Sequence, residues 1–153
     1  MTADGEIARV RTYLGSFRWQ ELEPRPYKEE GNAAFRNISR QVLFDEPTQD
    51  CELRYFEMEA GGYSSLERHR HTHAVIILRG RGQCLLGSTV RKVAAFDLVT
   101  IPGWTWHQFR ATDGEALGFL CMVNRVRDRP QLPGASDLAA LKSSPEVAAF
   151  LSP

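Results

Sequence analysis

The chain contains four histidines, and they fall in two short places. Three lie in Glu67-Arg68-His69-Arg70-His71-Thr72-His73, and the fourth is His107. Imidazole is the commonest side-chain ligand for borderline divalent metals, at about 2.0–2.1 Å from the ion. Scattered core or surface histidines would not concentrate in this way, so the cluster points to one metal ion.

Strand geometry limits which residues can meet. Residues two apart on a strand share a face and lie roughly 6–7 Å apart along it, close enough for two long side chains to reach one ion. Residues six apart on a straight strand are separated by about 20 Å and cannot. The chain must therefore reverse inside the segment, and Arg70-His71-Thr72 is the natural place. Two registers satisfy this condition. In the first, Glu67 and His69 form the pair and His73 returns; with His107 this makes four ligands. In the second, His69 and His71 form the pair and the returning residue is Val75, which has no donor atom. The first register is favoured, with His71 at the tip of the reversal. A carboxylate with three imidazoles suits manganese, iron, nickel or zinc. Imidazoles must be neutral to ligate, so metal is expected to leave as the pH falls toward about 5.

The elements that carry these residues are short strands. From Ala34 to Val123 the apolar pattern has period two and turn residues recur. The segments Phe35–Phe44, Glu52–Glu59, Val75–Leu78, Gln83–Leu86, Leu98–Ile101, His107–Ala111 and Leu117–Val123 read as strands. They are punctuated by Asp45-Glu46-Pro47, Gly61-Gly62, Gly80-Arg81-Gly82, Gly87-Ser88, Pro102-Gly103 and Asp113-Gly114. Short strands at this spacing, without long helices between them, predict an all-β sandwich or barrel. Residues 1–35 mix charge and aromatics with weak periodicity and are expected to form an arm packed on the barrel or on a partner subunit. Residues 36–124 form the barrel domain. Residues 125–153 form a Pro-bearing connector and a helical tail, with one helix opening at Ser136-Asp137 and a second capped by Ser144 with Pro145 at its first position.

Within this frame the motifs resemble those of the cupin superfamily. Its usual first motif is a glycine, five residues, H-x-H, three or four residues, a glutamate, six residues and a glycine. Gly61, Glu67-x-His69, His73 and Gly80 fall on that spacing, with Glu67 in place of the first histidine and His73 in place of the glutamate. The second motif, a glycine, five residues and P-x-G-x-x-H, is matched by Pro102 and His107, with Phe96 and Trp104 where the glycines usually stand. The run Arg54–Gly62 and the triplet Phe119-Leu120-Cys121 are similar to small bacterial cupins that bind manganese. The resemblance covers roughly residues 36–124. It implies a double-stranded β-helix, the cupin jelly-roll barrel, and pairing of two chains through the N-terminal segment into a homodimer.

Strand alternation extends the site to a pocket. Phe56 and Met58 are the apolar pair of their strand, and Arg54 shares their inward face. A buried arginine needs an anion, either an internal carboxylate or the acidic group of a ligand. Phe109 shares a face with His107, and Phe119 and Cys121 share one with Val123. Trp104 and Trp106 flank the approach to His107. No residue outside the ligand set stands out as a general base. Fold analogy then points to a metal-dependent enzyme acting on a small oxygenated molecule, by dioxygenase-like cleavage first and by isomerisation or decarboxylation next. The alternative is a non-catalytic binding or sensing module.

Bulk properties narrow the partners. The 153 residues suit one domain, and 19 Lys and Arg balance 19 Asp and Glu, so no basic footprint invites nucleic acid or an acidic membrane. Arg68, Arg70, Arg79 and Arg81 read as solvated positions. No stretch approaches the length of a membrane span. Three separated cysteines without C-x-x-C, and no signal-like apolar run in the first ten residues, are the pattern expected of a cytoplasmic protein.

Overall fold

The computed structural model describes residues 7–28 and 34–152. The parts of the arm at 1–6 and 29–33 lie outside the described residues. Eleven strands are found among the described residues: β1 (Tyr13–Gly15), β2 (Arg18–Trp19), β3 (Arg25–Pro26), β4 (Arg36–Phe44), β5 (Cys51–Tyr63), β6 (His73–Arg79), β7 (Arg81–Leu86), β8 (Thr89–Ala94), β9 (Leu98–Ile101), β10 (His107–Ala111) and β11 (Leu117–Asn124). Two helices follow, α1 (Ala135–Leu141) and α2 (Pro145–Leu151).

One antiparallel sheet runs β8-β7-β10-β5-β11-β6-β9, with β4 added to β5 and β3 to β4. It curls because β5 serves several neighbours along its length. Residues Cys51 to Met58 pair with β11, whereas Tyr63 pairs with Arg110 of β10. The bend between them is at Gly61-Gly62. Gly61 has φ +72, and a Cβ on Gly62 would sit 2.9 Å from the carbonyl oxygens of Arg36, Asn37 and Glu59, so neither position accepts a side chain without strain.

Alternation holds along the strands. Phe56, Met58, Val75, Ile77, Cys84, Val99, Ile101, Phe109, Phe119, Cys121 and Val123 point into one apolar interior. A second, smaller cluster covers the outside of β7, where Leu85 and Trp106 meet Leu141, Val147 and Phe150 of the two helices. Each such side chain removed from water contributes about 1.5–3 kcal/mol, which is why the tail docks. Pro145 and Glu146 stand in the first turn of α2 as their types predict, although Ser144 caps it without a side-chain hydrogen bond. Helix α1 begins one residue before Ser136, because the Asp137 carboxylate accepts the backbone N–H of Gly134 at 2.9 Å.

The strand β8 is absent from the sequence-based expectation. Arg91 and Lys92 interrupt its alternation, and β8 is the sheet's edge, where charge is the usual protection against stray pairing. The arm packs back on its own barrel. Phe17 stacks on Tyr55 at 5.4 Å between ring centres, and Trp19 meets the same ring edge-on. Tyr55 is consequently buried on the outward side of β5.

Candidate metal centre and its pocket

After Tyr63 the chain leaves β5. Glu67 forms an isolated antiparallel bridge with His107, the backbone bends at Arg70 and His71, and β6 starts at His73. The bend is pinned from two sides. Asp128 of the connector accepts the backbone N–H groups of Arg70 and His71 at 2.7 and 3.1 Å, and Trp104 donates its N–H to the His69 carbonyl at 2.7 Å. Gly103 lies so close that a Cβ would stand 2.4 Å from the Arg70 carbonyl oxygen.

This folding brings His69, His73 and His107 together, with ligand atoms all within 4.8 Å of one another. Their tautomers suit a metal. The Nδ1 of His69 is 2.8 Å from the carbonyl oxygen of His71, and that of His107 is 2.9 Å from the carbonyl oxygen of Thr105. A carbonyl can only accept, so both rings carry the proton on Nδ1 and present the Nε2 lone pair. The Nδ1 of His73 meets the Cys121 Sγ at 3.2 Å. The Nε2 atoms of His69 and His73 are buried without any hydrogen-bond partner. Buried polar atoms are seldom left this way, and three converging imidazoles, two of them with orphaned Nε2 atoms, fit a divalent ion.

Electrostatics agree. Burial, reinforced by the neighbouring imidazoles, lowers the pKa of His69 to about 4. Burial likewise lowers those of His73 and His107. All three rings are held in the neutral, ligating form.

Glu67 lines the same pocket, but its carboxylate is not among the atoms that converge. Its Oε2 accepts from Ser65 Oγ at 2.8 Å and pairs with Lys28 of the arm. Burial alone would raise its pKa; the Lys28 and Ser65 contacts outweigh that and leave it below the usual carboxylate value. His71 also borders the pocket, outside the converging set. Its ring lies flat against His69, 3.6 Å between centres, and its Nδ1 is 2.8 Å from Asp128 Oδ1.

The expected pocket residues separate. Arg54, Phe56, Phe109, Phe119 and Cys121 line the cavity with the histidines. Met58 is fully buried one step further along β5, in the core rather than on the wall. Trp104 is 56% exposed on its loop, and Trp106 packs under the helical tail with Arg68 stacked 4.4 Å above its ring. Tyr27, Lys28, Arg40, Arg127 and Asp128 also face the cavity. Four of them were not legible because the arm and the connector have no strand periodicity and approach the cavity through long-range packing; Arg40 stands on the expected strand β4, whose alternation alone does not say that it reaches the cavity.

The residues of the Cupin domain family match this chain at 54–123. The chain belongs to the cupin superfamily, and its curled antiparallel sheet and histidine triad agree with that. It is 57% identical over 151 residues to a protein of Rhodospirillum rubrum named 1-methylthio-D-xylulose 5-phosphate methylsulfurylase, covering 99% of this chain and 97% of that one. Among solved structures it is similar to a cupin 2 conserved barrel domain protein from Rhodopseudomonas palustris, with TM-score 0.88 and 54% identity over 93% of this chain and 98% of that one. A cupin-2 domain from Rhodospirillum rubrum gives TM-score 0.83 and 55% identity over 93% and 95% of the two chains.

Proposed function

We propose that this chain is a metal-dependent methylsulfurylase that cleaves the carbon–sulfur bond of 1-methylthio-D-xylulose 5-phosphate and passes the methylsulfanyl group to a thiol. The observation that carries this reading is the 57% identity, over almost the whole of both chains, to the relative of that name. Fold analogy by itself favours dioxygen chemistry; a full-length likeness to a sulfur-transfer enzyme outweighs it.

The pocket offers what such a reaction needs. A manganese, iron, nickel or zinc ion held by the three imidazoles would supply a Lewis acid for the ketone oxygen of the sugar. Three imidazoles leave coordination positions for substrate, as catalytic sites do. Glu67 is the proposed fourth ligand, which takes that place by giving up Lys28. The attacking thiol sulfur forms a bond to the thioether sulfur, the bond from C1 to sulfur breaks, and its electron pair passes into the carbonyl system. C1 must then gain a proton. Cys121 stands in the pocket beside His73, and burial raises its pKa although Arg54 pulls the other way, so the thiol keeps its proton at neutral pH. Cys121 is the proposed donor to C1, and the proton shed by the attacking thiol makes good the loss. The products are a methyl disulfide and a 1-deoxy ketose phosphate. Phe56, Phe109 and Phe119 exclude water from the reacting sulfur.

We infer further, from the cupin likeness, a homodimer joined through the arm and, from the separated free cysteines, a reducing, cytoplasmic setting in which sugar phosphates and free thiols coexist. Cys51, Cys84 and Cys121 are all free thiols, and no helix among the described residues is long and apolar enough to cross a membrane.

The test is an assay of metal-loaded protein with 1-methylthio-D-xylulose 5-phosphate and 2-mercaptoethanol, following the mixed methyl disulfide by mass spectrometry. Wild type should form it. Cys121→Ser should retain metal and lose turnover by roughly 10²–10⁴-fold. Oxygen uptake without disulfide would return the reading to dioxygenase chemistry, and ligand binding with no product would favour the sensing module.

A further inference from the structure

Arg54 projects from β5 into the metal pocket, with its side chain only 10% exposed. Arg127 of the connector reaches the same cavity from the rim, 27% exposed. A single oxygen, Oε1 of the buried Glu52, faces both: it is 3.5 Å from Arg54 Nε and 3.2 Å from Arg127 Nη1. The Arg54 contact is too long for a hydrogen bond, and its Nε is buried with no hydrogen-bond partner.

The rest of the Arg54 environment supplies little. Its guanidinium lies over the Phe56 ring at 4.9 Å, and its Nη2 is 3.8 Å from Cys121 Sγ. Two guanidiniums thus share one carboxylate oxygen, and since Arg127 Nη1 also donates to the Asn124 carbonyl at 2.9 Å, Arg54 is the less satisfied of the two. Removing a guanidinium from water is costly unless an anion meets it in return, and its planar fork suits the oxygens of a phosphate group.

Register places this pair relative to the metal end. Arg54 is opposite Cys121 on β11, and Cys121 is opposite Val75, two residues from His73 on β6. Glu52 is the next inward residue along β5, opposite Val123. The arginines therefore stand on the wall next to the histidine triad, separated from it by the Cys121 sulfur. A short polyol with its carbonyl at the triad would present a terminal ester to them.

We propose that Arg54 and Arg127, bridged by the Glu52 carboxylate in the free protein, form the subsite that binds the phosphate ester of the substrate and sets its selectivity for phosphorylated over free sugars. This rests on the sugar-phosphate reading above for its ligand, while the anion preference itself stands on the two guanidiniums.

Calorimetric titration of metal-loaded protein with D-xylulose 5-phosphate, D-xylulose and inorganic phosphate tests it without turnover. Wild type should bind the phosphate ester at least 10-fold more tightly than D-xylulose. Arg54→Met and Arg127→Gln should each lose on the order of 10- to 100-fold for the ester, as expected for a charged hydrogen bond, and leave D-xylulose binding unchanged. Arg127→Gln, nearer the surface, serves if Arg54→Met fails to fold by circular dichroism. Equal binding of the two sugars by wild type, or an undiminished preference in Arg127→Gln, overturns the assignment. If the ester preference and its loss hold but no methyl disulfide forms, the subsite stands and the proposed reaction falls; methyl disulfide formation without ester preference is the reverse case.

Discussion

At the scale of single residues, the site depends on which ring nitrogen of each histidine is already occupied. Two backbone carbonyls fix His69 and His107 with Nε2 free, the Cys121 sulfur meets Nδ1 of His73, and ligand atoms of the three rings lie within 4.8 Å of one another. His69→Ala and His107→Ala should each lose most of the approximately one equivalent of metal per chain, measured by plasma emission spectrometry. His71→Ala should keep it, because its ring stacks on His69 from outside the cluster. Glu67→Gln should lose less metal than either histidine variant, since ligation by Glu67 must first break its pair with Lys28, which offsets part of the gain. The pH of metal loss follows from burial. An unperturbed imidazole protonates near 6.5, but His69 is lowered to about 4, with His73 and His107 also lowered. Because the neutral form ligates, binding is complete above the ordinary histidine range and fails only as the pH falls through the depressed values. Burial therefore moves the loss below the value of about 5 expected from the sequence: metal should persist at pH 5 and leave on approach to pH 4. Release complete by pH 6 would contradict burial of the triad.

At the scale of elements, the turns that aim these strands carry unusual backbone. Gly80, between β6 and β7, has φ +74, and a Cβ there would stand 1.9 Å from the Ala116 carbonyl oxygen. Gly80→Ala should cost more than about 2 kcal/mol in urea unfolding, since both the torsion and the contact are backbone constraints. Phe96 and Trp104, which stand at the motif's glycine positions, keep the left-handed conformation that glycine would adopt, with φ 76 and 62. That conformation costs a residue with a Cβ about 1–2 kcal/mol, and glycine costs about 0.5–1 kcal/mol in unfolded-chain entropy. Phe96 is 78% exposed and has little packing to lose, so Phe96→Gly should stabilise the fold by about 0.5–1 kcal/mol. A lower urea midpoint in Phe96→Gly would show that its exposed ring contributes more than the strain removes. Trp104 differs in that its strained backbone donates to the His69 carbonyl, placing the cost beside the metal ligands.

For the whole molecule, the arm is the element with two tasks. Its Phe17 and Trp19 cover Tyr55 on the barrel, and Lys28 reaches the pocket, yet Ile7, Val10, Tyr13 and Leu14 of the same arm remain exposed. Apolar side chains concentrated on one exposed segment mark an interaction surface. The proposed homodimer should appear as twice the chain mass of 17.3 kDa in light scattering after size exclusion. Val10→Glu with Leu14→Glu should return it to a monomer, and a monomeric wild type would remove the arm from any pairing role.

Periodicity and spacing in the chain determined the all-β class, the positions of Leu98–Ile101 and His107–Ala111, and the identity of His69, His73 and His107 as the residues that meet. These are legible because strand alternation and ligand spacing are local: a two-residue period and a reversal at Arg70-His71 are written within a few neighbouring positions. Tertiary structure decided the rest. It set Glu67 against Lys28, Asp128 against the His71 ring, Glu52 between Arg54 and Arg127, and Met58 in the core instead of on the wall. Charges choose partners by distance in space, and the arm and connector that bring those partners lie far away along the chain in segments with no period to read.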